Sequence, residues 1–112
     1  MVELFDIVEL LVTPSGYMLQ PGTRGAVVDL HSNQTYEVEF TNAAGETIVQ
    51  LALKPEQFVV VWRARTKSWV PLPERIAAVV ACLPEETRIQ VCDFARFIDN
   101  TERSAVPASS VS

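Results

Sequence analysis

The sequence predicts an α+β protein that is mainly β, with a five-stranded antiparallel barrel followed by a C-terminal α-helical hairpin of two short helices. Segments of β-branched and aromatic residues recur through residues 1–62, separated by short turns rich in glycine, proline and asparagine. Apolar residues then repeat at helical spacing over residues 72–99. The 112-residue chain is 48% hydrophobic, so it can hold one domain or two very small ones.

The first two strands are predicted from their content of β-branched residues. Residues 4–12 also have helical periodicity, but their isoleucine, valine and phenylalanine favour a strand. A Thr-Pro-Ser-Gly sequence then breaks the segment, and a Gln-Pro-Gly turn precedes the second strand at residues 23–30. Within that strand, Gly25 permits a tight entry or a bulge.

Three further strands complete the predicted barrel. Residues 36–40 alternate apolar and acidic side chains, and residues 47–53 place Val49, Leu51 and Leu53 on one face. Residues 54–57 suit a single helical turn because proline is tolerated at its first position. Residues 58–62 form the last strand. A helical turn just before the last strand is typical of SH3-like barrels, so we expect an SH3-like barrel over residues 1–62.

The remaining chain is predicted to contain a connector, two helices and a tail. Residues 63–71 form the connector and residues 72–99 the helical hairpin, which is interrupted and restarted at Pro84. Residues 100–112 are small and polar and are predicted to be disordered. Two short helices cannot bury enough surface to fold alone, so their apolar stripe must dock on the barrel, on a second copy or on another protein.

Charge and cysteine content narrow the classes of function. The net charge is −5, and residues 1–61 carry eight acidic and two basic side chains, which disfavours nucleic-acid binding by the whole molecule. We find no membrane-spanning run and no signal peptide, and we expect a cytoplasmic protein. Cys82 and Cys92 form no zinc-binding pattern and are interpreted as small buried thiols, with a disulfide across the hairpin as the alternative.

Two groups of residues are candidates for partner binding. One is the segment from Trp62 to Trp69, in which three basic residues lie between two tryptophans. Such a segment suits a protein interface or single-stranded nucleic acid, although the tryptophans could simply pin the helices onto the barrel. The other is the apolar stripe of the second helix. The candidate binding residues are Trp62, Arg63, Arg65, Trp69, Val91, Phe94 and Ile98.

No arrangement of residues predicts catalysis, a cofactor or a metal. His31 lies in an expected hairpin loop, where a surface role is far commoner than that of a catalytic base. Glu37 and Glu39 share one strand face and are interpreted as a solvated surface. No glycine-rich phosphate loop and no cluster of metal ligands occurs. The sequence therefore predicts a protein that is not an enzyme.

The N-terminal half resembles an uncharacterised prokaryotic family. The segments at residues 4–11, 21–28, 36–40, 45–47 and 51–53 look like the family catalogued as domain of unknown function 4926. The resemblance covers residues 1–62 and implies a small SH3-like barrel. Gly22, Gly25 and Val27 are also similar to the glycine-containing first hairpin of KOW-type domains in ribosome and transcription factors.

The C-terminal half resembles a second family. Residues 83–86 read Leu-Pro-Glu-Glu, and with residues 90–98 they resemble domain of unknown function 2281, over residues 72–98 in all. That family contains short helical proteins often grouped with the antitoxin-like components of toxin–antitoxin pairs. The resemblance implies a protein partner and supplies no catalytic residue.

Together these observations predict a non-enzymatic protein–protein interaction module, with an antitoxin-like or neutralising role implied by the resemblance. It would bind a protein partner or a second copy through the helical stripe. Two alternatives stay open: a KOW-like RNA- or ribosome-associated factor, and a non-catalytic accessory or subunit of an enzyme assembly.

Overall fold

The computed structural model describes residues 1–105 and contains an antiparallel sheet followed by two helices. The strands are β1 (Ile7–Leu10), β2 (Arg24–Leu30), β3 (Tyr36–Thr41), β4 (Thr47–Leu53), β5 (Phe58–Arg63) and β6 (Ser68–Trp69). A 3₁₀ turn at Pro55–Gln57 precedes β5, as the sequence predicts. The helices are α1 (Leu72–Ala81) and α2 (Glu85–Ala105). The α+β class is confirmed.

The strands form one sheet in the order β4-β3-β2-β1-β5-β6, and each neighbouring pair is antiparallel. One prediction needs correction, and another is not confirmed. The sheet has six strands instead of five, because Ser68 and Trp69 of the expected connector pair with Arg63 and Trp62. Within the described chain the sheet is open, with β4 and β6 at its edges, so closure into a barrel is not confirmed.

The main buried cluster lies on one face of this sheet and follows from the alternation of the strands, while Val59, Val61 and Val70 are buried outside that cluster. Apolar residues at every second position point to the same side, and their burial supplies most of the folding free energy. The 3₁₀ turn brings Phe58 onto β5, where its ring meets that of Tyr36 edge-on at 5.7 Å between centroids. The buried cluster consists of Val8, Leu10, Val27, Val38, Phe40, Leu51, Leu53 and Phe58.

The first strand is shorter than the predicted residues 4–12. Phe5 has a φ of 70°, in the left-handed region, so the chain enters β1 only after it.

Gly25 is needed for a different reason from the tight entry or bulge that the sequence predicts. It is needed because it has no side chain. A Cβ atom there would lie 2.7 Å from Val38 Cγ1 and 2.9 Å from the carbonyl oxygen of Glu39. Only glycine lets β2 and β3 approach this closely.

The two helices begin and end where proline and polar groups allow. Pro73 lies in the first turn of α1, where an amide hydrogen has no helical partner to lose. Residues 82–84 separate the helices, and Arg88 donates to the carbonyl oxygens of Leu83 and Ala81 at 2.9 Å each.

The chain divides into two compact units, of which the first ends at Val79 and the second begins at Val80. Within residues 1–105, neither helix combines the length and apolar character that a membrane crossing needs.

The second helix extends beyond its predicted end. Residues 100–105, expected to begin a disordered tail, continue α2 to Ala105. The Arg103 Nε atom lies 2.9 Å from Asp99 Oδ2, an ion pair at the i, i+4 spacing that favours a helix. The rest of the predicted tail, residues 106–112, lies outside the described residues.

Candidate functional site

The tryptophan segment is a strand hairpin. Trp62 and Trp69 are directly opposite one another in the β5–β6 pairing, so their side chains lie on the same face. The turn between the strands ends at Lys67, whose φ of 51° lies in the left-handed region. The hairpin thus brings together the two tryptophans that the sequence separates by six residues.

Trp69 is exposed, yet its ring is held in place. It keeps 56% of its surface accessible, and the Arg24 guanidinium carbon lies 5.3 Å from the ring centroid, a cation–π contact. Arg24 Nε in turn donates to Glu9 Oε2 at 3.1 Å. The arrangement presents a flat aromatic surface flanked by one positive and one negative group, which suits contact with a protein.

The two predicted arginines hold the N-terminal segment. Arg63 Nη1 donates to the carbonyl oxygen of Met1 at 3.3 Å, and Arg65 Nη2 donates to Glu3 Oε1 at 2.9 Å. Both guanidinium groups thus already have partners within the protein. Glu3 partly neutralises the charge of Arg65, whereas Arg63 keeps its charge and uses one of its donors on a backbone carbonyl.

A buried carboxylate that sequence reasoning missed organises the same region. Asp6 is 1% exposed, and its side chain accepts two backbone hydrogen bonds. Glu3 N donates to Oδ2 at 2.9 Å, and Ala64 N donates to Oδ1 at 2.8 Å. Asp6 therefore ties the N-terminal segment to the β5–β6 turn. One acid beside an apolar strand carries no periodic signal that could reveal this role.

The apolar stripe of α2 is the second candidate surface. The helix has 21 residues and buries none of them. Val91 is half-buried, Phe94 is 65% exposed and Ile98 is also exposed. The ring of Phe97 lies 6.4 Å from that of Phe94 between centroids and widens the stripe. The two candidate surfaces belong to different compact units.

The remaining polar candidates form surface contacts. His31 Nε2 lies 2.9 Å from Glu37 Oε1, a pair that joins the β2–β3 loop to β3. The interpretation of Cys82 and Cys92 as buried thiols is wrong, since both are exposed, and neither forms a disulfide. Cys82 lies in the turn between the helices and Cys92 lies in α2, and because neither helix buries a residue, apolar spacing there does not imply burial. No group of three or more potential metal ligands occurs among residues 1–105.

Comparison with known proteins identifies the N-terminal half. The family described as domain of unknown function (DUF4926) matches residues 4–60, just over half of the chain, as the sequence resemblance predicts. No curated protein and no solved structure matches the chain. The resemblance of residues 72–98 to domain of unknown function 2281 lies outside this match and stays a prediction. The chain belongs to the DUF4926 family.

Proposed function

We propose that this protein is a non-enzymatic protein–protein interaction module whose contact element is α2. One observation carries the proposal: a helix of 21 residues exposes an apolar stripe and buries no residue. A stripe of this kind left in water favours aggregation, whereas a partner that covers it gains the free energy of its burial.

The spacing of the stripe indicates how a partner would bind. Val91, Phe94 and Ile98 follow the i, i+3, i+7 pattern by which an amphipathic helix fills an apolar groove. The partner is therefore a protein with an apolar groove about two helical turns long. Trp69 of the β5–β6 hairpin, which is exposed and belongs to the other compact unit, is a second contact surface in this proposal.

The biological setting rests on resemblance. Similarity of residues 72–98 to a family of antitoxin-like helical proteins supports a neutralising or accessory role in the cytoplasm of a prokaryote. In that setting α2 would occupy a groove on the protein encoded by the neighbouring gene. A role as a non-catalytic subunit of an enzyme assembly uses the same surface, and the identity of that gene product separates the two.

The sheet serves as the scaffold in this proposal, and we propose that its curvature is that of an SH3-like barrel. The strand order β4-β3-β2-β1-β5 and the 3₁₀ turn before β5 support this arrangement. A KOW-like RNA-associated role is less well supported, because Arg63 and Arg65 are engaged by Met1 and Glu3.

The test is calorimetric titration of the full chain with the product of the neighbouring gene. The double variant Phe94→Glu/Ile98→Glu introduces two charges into the stripe, and we expect it to weaken binding at least about a hundredfold. Ile89→Glu is the matched control, because Ile89 is as exposed as the stripe but lies about 140° around the helix from Phe94. Equal binding by the double variant and the control, or no binding by the wild type, would contradict the proposal.

A further inference from the structure

Two charged residues of α2, Arg88 and Glu102, differ from those that pair within the helix. The pairs within the helix are Arg96 with Asp93 at 3.2 Å and Arg103 with Asp99 at 2.9 Å. Within residues 1–105, Glu102 forms no ion pair and Arg88 has no carboxylate partner. Arg88 donates instead to two backbone carbonyl oxygens, which leave its positive charge uncompensated. α2 therefore presents one basic and one acidic side chain without an opposite charge.

Arg88 and Glu102 flank the apolar stripe on the same side. At about 100° per residue, Glu102 lies about 20° from Val91 around the helix axis and Arg88 about 60°, both away from Phe94. The other side of the stripe is bordered by the exposed ring of Phe97. Arg88 and Glu102 are two heptads apart in the sequence, so a second helix that covers the stripe contacts both of them along one edge.

The inference drawn from this arrangement rests on the proposed function, because it concerns the same stripe. We propose that, when no partner is bound, α2 pairs antiparallel with α2 of a second copy of this chain. The two-fold axis passes at a level midway between Phe94 and Ile98. Phe94 of each chain then packs beside Ile98 of the other, and Val91 beside Thr101, which covers the stripe on both helices. The Phe97 rings of the two chains meet next to the axis.

Charge complementarity selects this register. Arg88 of each chain lies opposite Glu102 of the other, which gives two ion pairs per dimer. A shift of one heptad in either direction would place the uncharged Ala95 opposite Arg88 or opposite Glu102. A parallel pair would place Glu102 beside Phe97 of the second copy and leave both charges unpaired. The antiparallel register centred on the stripe therefore satisfies the apolar residues and the charges together.

Arg88 keeps the hydrogen-bonding capacity that this pairing needs. A guanidinium group carries five N–H donors, and Arg88 uses Nε and Nη2 on the carbonyl oxygens of Leu83 and Ala81. Its Nη1 hydrogens are left for the carboxylate of Glu102 in the second copy. The two carbonyl contacts also restrict the side chain, which reduces the conformational entropy lost when the ion pair forms.

Self-pairing would regulate access to the stripe. In the dimer the stripe is covered, which lowers the tendency of exposed apolar groups to aggregate. At concentrations below the dimer dissociation constant, the chain is a monomer whose α2 is free to bind a partner. Because the partner and the second copy compete for one surface, the partner binds the monomer and draws the dimer apart by mass action.

Sedimentation equilibrium of the full chain over a wide concentration range tests the proposal, and we expect a reversible monomer–dimer equilibrium. Arg88→Glu places glutamates opposite each other, and Glu102→Arg places arginines opposite each other. Each variant alone should raise the dimer dissociation constant about tenfold. An equimolar mixture of the two should recover the wild-type value, because every arginine then faces a glutamate in the mixed dimer.

The matched control for these variants is Arg96→Glu. It makes the same change of charge as Arg88→Glu, but Arg96 lies about 140° from Val91 around the helix, so the dissociation constant should not change. Circular dichroism checks that each variant keeps its helices. Arg88→Glu adds an acid to the first turn and Glu102→Arg adds a base near the last turn, both of which the helix dipole favours.

Three results would overturn the self-pairing: a wild-type chain that stays monomeric, a dimer indifferent to both charge reversals, or a mixture that does not recover. Calorimetric titration with the product of the neighbouring gene separates this inference from the proposed function. Binding of that product by a chain that never dimerises would overturn the self-pairing alone. A dimer that responds to the charge reversals as expected but does not bind the product would contradict only the proposed function.

Discussion

Phe40 in β3 is fully buried, whereas Phe94 in α2 keeps 65% of its surface exposed. The same side chain thus has opposite environments in the two compact units. In the sheet, alternation places the residues of the main buried cluster on one covered face. In α2, apolar residues at helical spacing face solvent, and no residue of the helix is buried.

This difference in burial indicates that the apolar residues of the sheet contribute to stability and those of α2 to binding. Buried apolar groups stabilise the fold in proportion to the area removed from water, so the sheet carries the folding free energy. Exposed apolar groups on α2 contribute little to folding and remain available to a partner. The same substitution should therefore change stability in one unit and binding in the other.

The largest expected effect follows from truncating the core. Phe40→Ala leaves a cavity between β3 and the buried residues around it, and we expect a loss of about 3–5 kcal/mol in the free energy of unfolding. Urea denaturation monitored by circular dichroism measures it. A loss below about 1 kcal/mol would mean that the face of the sheet assigned to the core is not closely packed.

A smaller but substantial effect is expected at Asp6. Asp6→Ala removes the acceptor for the backbone amides of Glu3 and Ala64, and an unsatisfied buried group costs about 1–3 kcal/mol. We expect unfolding at lower urea concentration than for the wild type. Glu3→Ala serves as the control, because it keeps both amides satisfied and removes only the partly exposed ion pair with Arg65.

The smallest effect on stability is expected in α2. Phe94→Ala removes an exposed ring and introduces the best helix former, so the free energy of unfolding should change by less than about 0.5 kcal/mol. The same urea experiment compares it directly with Phe40→Ala. If Phe94→Ala destabilised the protein as much as the core variant does, the stripe would be part of the folding core and unavailable to a partner.

The sequence reveals the sheet where its pattern is regular. Thr47–Leu53 is predicted with the bounds that the structure has, because Val49, Leu51 and Leu53 alternate with exposed residues along the strand. β6 carries no such signal. Its two residues are a strand only because Trp69 lies opposite Trp62, a tertiary contact that local periodicity does not encode.

The sequence predicts which residues form the candidate site, but it predicts only part of the geometry of the site. The spacing of Val91, Phe94 and Ile98 indicates one helix face, as the structure has it. The sequence of the basic segment does not reveal that Arg65 binds Glu3, 62 residues away. Contacts across such a distance depend on the whole fold, as does the burial of Asp6.

The most direct test of the central claim is photocrosslinking in cells that contain the natural partners. Benzoylphenylalanine replaces Phe94 in one variant and Ile89 in another, and adducts are identified by mass spectrometry. We expect one discrete protein adduct at the Phe94 position, none at the Ile89 position, and loss of the adduct when Val91→Glu is added. Equal adducts at both positions, or no adduct at the Phe94 position, would contradict the account of α2 as the binding element.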